Sequence, residues 1–313
     1  MHDQIRSHIS RRRALQGGLA LGASLALPGL ARAGAQGLGP PAVRTIPTSG
    51  EKIPVVGLGT DKFRTEARGA IQAEIQRMLE LGGTVIDTAA AYGDSEAIIG
   101  ETLAALGIRE RIFLATKLTA GDSSRGGRGG EASFKRSLER LRTQRIDLLQ
   151  VHNLNGVDEL MPALLKWRQA GAIRYVGITT SRVSQHAQMV EYMRRYPLDF
   201  VQVDYSLANR DAASLLLPLA QERKIAVLAN IPFAEGSLFR ELQSRPLPPW
   251  AAQIDATSWG QCLLKYVISH PAVTCTIPGS TQVAHLEDNQ RAAQGRLPDP
   301  AMRRKMEQYW NAM

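Results

Sequence analysis

The stretch TVIDTAAAYG, residues 84–93, joins a short aliphatic run to an acid, Asp87, and to a loop of small residues that contains Tyr92. Similar aliphatic runs recur along the chain, and the segments between them carry apolar residues at helical spacing. Continuous aliphatic strands that alternate with amphipathic helices predict a parallel sheet covered by helices. The eight runs are residues 55–57, 84–86, 112–115, 146–151, 175–178, 200–203, 225–228 and 273–276.

The segment after the first run decides between an open sheet and a closed barrel. An open dinucleotide-binding sheet has Gly-x-Gly-x-x-Gly after its first strand, whereas this chain has GLGTDK at residues 57–62. Polar residues directly after several runs instead indicate an α/β fold of the (β/α)8 type, the TIM barrel, whose chemistry lies at the carboxyl ends of the strands. Residues 230–270 contain no clear strand, and we expect a loop over that face.

The first 33 residues have the order of an export signal. SRRRAL at residues 10–15 resembles the start of a twin-arginine signal, and an apolar run at 17–30 and ARA at 31–33 follow it. The apolar run is too short to span a membrane and is interrupted by Pro28, so no stable membrane anchor is expected. A basic tail without a signal function is the alternative. We expect a signal peptide at 1–33, a linker at 34–42 and the barrel at 43–313, with cleavage near Ala33 and export to the periplasm by the twin-arginine translocation machinery.

Charge and cysteine content argue against two other classes of protein. The net charge of +9 belongs partly to the first 33 residues, which hold five arginines against one acid, and the rest is spread without a basic run. Nucleic-acid binding uses concentrated basic patches and is therefore not expected. Cys262 and Cys275 are too few and too far apart for a metal site, and no metal is expected. We expect two free, buried thiols, although the sequence leaves a single disulfide open.

Ionisable side chains follow three consecutive strands, and in a barrel they converge on one rim. They are Asp87 and Tyr92 after the second strand, Lys117 after the third and His152 after the fourth. A tyrosine that donates a proton at neutral pH needs a cation beside it, and Lys117, held by Asp87, would lower the pKa of Tyr92. A neutral His152 could donate a second hydrogen bond to a carbonyl oxygen. The set predicts a general-acid site for a carbonyl substrate, with electrons supplied from elsewhere.

At these residues the chain resembles the aldo-keto reductase superfamily, in order and at family-like spacing from about residue 43 to 295. Each motif alone is weak, but the ordered set is specific. The resemblance implies that Asp87, Tyr92, Lys117 and His152 are the catalytic residues, and that Tyr92 protonates the carbonyl oxygen while a nicotinamide supplies hydride. The motifs are VGLGT at 56–60, IDTA at 86–89, YG at 92–93, ATK at 115–117, DLLQVH at 147–152, IRYVGI at 173–178, VQ at 201–202 and IPGS at 277–280.

The resemblance also implies where the nicotinamide cofactor binds. Gln202 aligns with the glutamine that holds the carboxamide, and residues 279–289 align with the stretch that binds the adenosine end. The expected cofactor-binding residues are Gly59, Thr60, Thr179, Thr180, Gln202, Asn230, Phe233, Gly236, Gly279, Ser280, His285, Asp288 and Asn289.

Several of these positions depart from the family pattern. The family commonly has Ser-Asn where this chain has Thr179-Thr180, and a tyrosine that stacks on the nicotinamide where it has Asn230. A lysine and an arginine commonly stand at Gly279 and His285, and their loss removes two charges that would select the extra phosphate of NADPH. NADP(H) is still favoured over NAD(H) on family grounds, and Phe233 is a candidate for the missing stack.

Together these features predict an exported, NAD(P)H-dependent reductase of a small aldehyde or ketone. The alternative is a nucleotide-binding sensor or subunit of the same fold with little turnover, which the lost stack favours and the complete acid–base set opposes. A free nicotinamide pool is not expected outside the inner membrane, so an exported enzyme would hold its cofactor tightly and recycle it in place. The loops near 119–130 and 232–255 carry no transferable code that would name the substrate.

Overall fold

An antiparallel hairpin precedes the parallel strands of the central sheet in the computed structural model, which describes residues 39–119 and 128–313. The predicted signal peptide and residues 34–38 of the predicted linker lie outside the described residues. Within the described residues, strands β3 to β10 pair in chain order. The strands are Val43–Thr45 (β1) and Lys52–Pro54 (β2) in the hairpin, then Leu58–Gly59 (β3), Val85–Asp87 (β4), Phe113–Leu118 (β5), Ile146–Val151 (β6), Ile173–Thr179 (β7), Phe200–Asp204 (β8), Ala226–Asn230 (β9) and Val273–Thr276 (β10).

Backbone bridges at the seam between β3 and β10 close the sheet. Val56 bridges to Thr276 and Gly59 bridges to Gly279, both in parallel orientation. The Gly59 amide donates a hydrogen bond of 3.0 Å to the Pro278 carbonyl. A Cβ at Gly59 would lie 2.7 Å from the Ile277 carbonyl oxygen, so only glycine allows the two strand ends to come this close. The predicted (β/α)8 barrel is confirmed.

Helices cover the outside of the barrel, and their apolar faces pack on outward-facing strand residues such as Leu114, Leu149 and Val201. No helix among the described residues is both long and apolar enough to cross a membrane. The helices are Arg68–Glu80 (α1), Ser95–Leu106 (α2), Arg128–Arg140 (α3), Val157–Gln169 (α4), His186–Arg195 (α5), Leu216–Glu222 (α6), Ser237–Leu242 (α7), Trp259–Ile268 (α8), Val283–Arg291 (α9) and Pro300–Asn311 (α10).

The predicted loop over residues 230–270 is partly wrong, because the segment contains α7, a 3-10 helix at Pro249–Ile254 and the whole of α8. Leu238, Leu242 and Trp250 on these pieces are buried in the main hydrophobic core. Prolines interrupt the first half of the segment, and a helix as short as α7 has too few turns for a clear apolar period. Their burial against the barrel stabilises them instead.

Alternation along the strands divides the barrel interior into an apolar floor and a polar upper layer. On β5, Phe113 and Ala115 point inward and Leu114 points to the helices, so Lys117 continues the inward row. The hairpin places Ile46 and Ile53 in the same inner cluster as Phe113. The floor excludes water beneath the polar layer.

Cys262 and Cys275 are both free and buried, as predicted from the sequence.

Candidate active site

A buried ion pair between Asp87 and Lys117 forms the base of the polar layer. Asp87 ends β4, Lys117 lies near the end of β5, and Lys117 Nζ is 2.5 Å from Asp87 Oδ2 and 2.8 Å from the Thr88 carbonyl oxygen. The Lys117 side chain has no solvent exposure. Burial lowers the pKa of Lys117, but Asp87 and Tyr92 together raise it above its ordinary value. The structure therefore holds a charged ammonium inside the barrel.

Tyr92 lies on the loop that leads from β4 into α2, and the centroid of its ring is 5.1 Å from Lys117 Nζ. The Lys117 charge is the largest influence on the pKa of Tyr92 and lowers it, but burial and the charges of Asp87 and Asp61 raise it more. The net pKa of Tyr92 is therefore raised, and the expected lowering is wrong. Tyr92 therefore stays protonated at neutral pH, next to the Lys117 ammonium.

His152 follows β6 directly, and its side chain faces Tyr92. Its ring meets the Tyr92 ring edge to face, with 5.7 Å between centroids. Burial, and then the charge of Lys117, lower the pKa of His152 to about 4. The prediction of a neutral histidine is confirmed. Its Nδ1 atom is buried and has no hydrogen-bond partner among the described residues.

Two glutamine amides hold the other oxygen of Asp87. Gln202 Nε2 donates to Asp87 Oδ1 at 2.9 Å, and Gln150 Nε2 approaches the same atom at 3.4 Å. Gln150 is fully buried and is not among the site residues predicted from the sequence. Its position two residues before His152 puts both side chains on the inner face of β6, so the alternation of the strand was the signal that could have found it.

A cleft of about 690 Å³ runs across the carboxyl ends of the strands and reaches Asp87, Tyr92 and His152. Several other residues of its wall were not predicted from the sequence, among them Asp61, Asn153, Ser181, Glu235 and Phe239. Most of the predicted cofactor-binding residues also line this cleft: Gly59, Thr60, Thr179, Gln202, Asn230, Phe233, Gly236, Gly279, Ser280 and His285.

Three predicted cofactor-binding residues do not line the cleft: Thr180, Asp288 and Asn289. The Thr180 hydroxyl donates to Gln185 Oε1 at 2.6 Å, on the other side of the strand end. Asp288 accepts hydrogen bonds from Ser258 Oγ at 2.6 Å and from Gln261 Nε2 at 2.7 Å. Because these contacts join α9 to α8, they give Asp288 a structural role in this arrangement.

Strained backbone borders the cleft in two loops. Asn153 and Leu154, after β6, have φ of 53° and 55°, and Ile231, Ala234 and Glu235, after β9, have φ of 48°, 46° and 54°. Non-glycine residues rarely adopt this left-handed region, and such residues cluster where a loop must present its backbone to a ligand. The glycines at 59, 236 and 279 keep the same wall free of side chains.

A second cavity of about 610 Å³ lies at the opposite end of the barrel. Its charged side chains are largely paired with one another, since Asp147 accepts from Arg109 at 3.0 Å and from Arg174 at 2.8 Å. None of the predicted site residues reaches it. The residues described contain no group of three His, Cys, Asp or Glu side chains that could hold a metal ion.

A parallel barrel with a tyrosine, a buried lysine–aspartate pair and a neutral histidine beside a long cleft defines a class of protein, the carbonyl reductases that take hydride from a nicotinamide. The chain belongs to the aldo/keto reductase family, whose model matches residues 55–308. It is an oxidoreductase that reduces an aldehyde or ketone to an alcohol with NAD(P)H.

Individual relatives cover most of the chain. Methylglyoxal reductase YeaE of Escherichia coli is 31% identical over 244 residues, covering 76% of this chain and 84% of that protein. The oxidoreductase YqkF of Bacillus subtilis, whose function is uncharacterized, is 30% identical over 291 residues, covering 81% of this chain and 91% of that protein.

Among solved structures, the holo form of aldo-keto reductase AKR11C1 from Bacillus halodurans matches with a TM-score of 0.71 at 25% identity, covering 86% of this chain and 96% of that one. An aldo/keto reductase from Klebsiella pneumoniae in complex with NADP and acetate matches with the same TM-score and identity over 83% and 93%.

Proposed function

We propose that Tyr92 is the general acid of this reductase. The observation that carries the proposal is the position of the protonated Tyr92 beside the buried, charged Lys117. When bound, a reduced nicotinamide supplies the hydride. An alkoxide is far more basic than a phenolate, so Tyr92 can give its proton to the carbonyl oxygen as negative charge develops there, even with a raised pKa.

The neighbouring residues support this step in separate ways. Lys117 stabilises the phenolate that remains after proton transfer, and Asp87 fixes the position of Lys117 through the 2.5 Å contact. His152 is neutral, so its one N–H group can donate a hydrogen bond to the substrate oxygen without adding a charge. Gln202 and Gln150 hold Asp87 in turn.

The experiment is cofactor oxidation by the purified protein with a panel of aldehydes and ketones that includes methylglyoxal, because a relative is named for that activity. Tyr92→Phe should lower kcat by about 10²-fold or more, the scale of a lost general acid, and leave cofactor affinity nearly unchanged. Tyr196→Phe is the matched control, since Tyr196 donates to Asp158 on the surface. Wild-type turnover no faster than that of Tyr92→Phe would establish the alternative, a nucleotide-binding sensor or subunit.

The choice between NADP(H) and NAD(H) depends on the adenosine end of the cleft. The Klebsiella pneumoniae structures with NADP and NADPH support the NADP(H) preference expected from the family. Gly279 and His285 favour NAD(H), because they do not supply the charges of the lysine and arginine that commonly stand at these positions. Dissociation constants for NADPH and NADH, measured by calorimetry on the wild type, decide between them.

We further propose that residues 1–33 direct the folded protein through the twin-arginine machinery to the periplasm with its cofactor bound. The order of basic, apolar and small residues supports this, with cleavage near Ala33. Arg11→Lys combined with Arg12→Lys should leave the full-length chain in the cytoplasm on cell fractionation, whereas Arg13→Lys should still be exported. Export of the double variant, or envelope-derived protein that contains no nucleotide, contradicts the proposal.

A further inference from the structure

The amide of Asn230 has a fixed orientation at the end of β9. Its Nδ2 atom donates to the Thr180 carbonyl oxygen at 3.2 Å and approaches Gln202 Oε1 at 3.5 Å. A flipped amide would face two acceptors with its own oxygen, so the nitrogen must point at Thr180 and Gln202. Asn230 Oδ1 is then left buried in the wall of the cleft without a hydrogen-bond partner among the described residues.

Gln202 is fixed in the same way. Its Nε2 donates to Asp87 Oδ1 at 2.9 Å, which leaves Oε1 toward Asn230. A chain of hydrogen bonds thus runs from Asn230 through Gln202 to Asp87 and Lys117. An acceptor that is buried without a donor costs free energy unless a ligand supplies one, so the chain has one open position, at Asn230 Oδ1.

The departures at positions 180 and 230 belong together. The Thr180 hydroxyl is bonded to Gln185 Oε1 at 2.6 Å, so position 180 offers no amide to the cleft. Asn230 ends β9, which lies on the other side of β8 from β7. Its amide nitrogen donates a hydrogen bond to the Thr180 carbonyl oxygen. An amide lost after β7 is therefore replaced by one at the end of β9, where an aromatic ring commonly stands.

We propose that Asn230 Oδ1 accepts a hydrogen bond from the carboxamide N–H of the nicotinamide, so that a hydrogen bond replaces the missing aromatic stack. The inference rests on the proposed function, since it concerns the same cofactor. It makes Asn230 a positioning residue that ties the orientation of the nicotinamide ring to Gln202 and hence to Asp87.

The test compares oxidised nicotinamide nucleotides with their 3-acetylpyridine analogues, in which a methyl group replaces the carboxamide NH₂ and cannot donate. Dissociation constants are measured by calorimetry, in whichever of the NAD or NADP series binds more tightly. The wild type should prefer the carboxamide about 5- to 10-fold, as one neutral hydrogen bond in a buried site implies. Asn230→Ala should reduce this preference to about 2-fold or less.

Two further variants make the outcome specific. Asn230→Tyr should lose the preference while binding both nucleotides, because a ring stacks equally on either one. Asn311→Ala, which removes an exposed amide at the end of α10 that does not line the cleft, should keep the wild-type preference. An unchanged preference in Asn230→Ala and Asn230→Tyr overturns the inference alone. Failure of the wild type to bind any nicotinamide nucleotide overturns the proposed function as well.

Discussion

The rings of Tyr92 and His152 meet edge to face at the mouth of the barrel, at an interplanar angle of 81°. Both groups reach the cleft, yet neither changes charge near neutral pH. The pKa of His152 is lowered to about 4, and the pKa of Tyr92 is raised above its ordinary value. We therefore expect kcat/KM for carbonyl reduction to be flat from about pH 5.5 to 9, without the limb near 6.5 that a free histidine gives. A limb near pH 6.5 that disappears in His152→Gln would contradict this assignment.

Acid stability should depend on two buried histidines. Burial is the main cause that lowers the pKa of His152 and of His270 to about 4 in the folded state, whereas the unfolded value is about 6.5. Between these two pKa values the unfolded chain binds more protons than the folded one. The stabilisation that the two neutral histidines contribute is therefore complete above pH 6.5 and is lost as the pH falls toward 4. Urea unfolding at pH 7.5 and 5.0 should show a loss of up to about 2.7 kcal/mol per pH unit from the pair. His270→Gln should reduce that slope, and a slope unchanged in this variant would count against the assignment.

The buried pair of Asp87 and Lys117 should be coupled in stability as well as in catalysis. Lys117→Met leaves a carboxylate in the barrel without its cation, and Asp87→Asn leaves an ammonium without its anion. Each should cost about 3 to 5 kcal/mol of unfolding free energy, and the double variant should cost less than the sum. Chemical denaturation measures this, with Arg195→Met at an exposed ion pair as the control. Additive losses would show that the two charges do not depend on each other.

Gly100 in the middle of α2 should not tolerate a side chain. An added Cβ would overlap the carbonyl oxygen of Arg140, at the end of α3. We expect Gly100→Ala to destabilise the protein by about 1 to 3 kcal/mol or more, because backbone must move to make room. Gly69→Ala on α1, where nothing lies within 4 Å of the added atom, should instead be neutral or stabilising by up to about 1 kcal/mol. Equal thermal stability of the two variants would contradict this packing.

The sequence predicted the site best where strand order alone determines position. Asp87, Lys117 and His152 follow successive strands of a parallel barrel, so they must share one rim. The direction of the Tyr92 pKa shift was not predictable in this way, because it depends on burial and on the distances to three charges at once. Gln150 lies in a continuous apolar run, where a polar residue is easily read as part of a strand.

Alignment with a family pattern was less reliable for residues whose side chains can face either way. Thr180 and Asp288 occupy positions that the resemblance assigned to the cofactor, but their polar atoms are bonded to Gln185 and to residues of α8. The residue type at a position does not determine which hydrogen-bond partner its side chain takes. The surrounding residues of the fold determine the partner, and a family sequence pattern does not show them.

The bridge between Gly59 and Gly279 has a consequence for the order of events during synthesis. Both residues line the cleft; Gly59 ends β3, the first strand of the barrel, and Gly279 closely follows β10, the last strand. A ribosome-bound chain that lacks β10 cannot form this wall, whatever the state of its earlier strands. Contacts so distant in sequence form late in folding. The nucleotide therefore meets its complete binding surface only after β10 has been synthesised and has paired with the start of the barrel, so cofactor loading follows closure of the barrel.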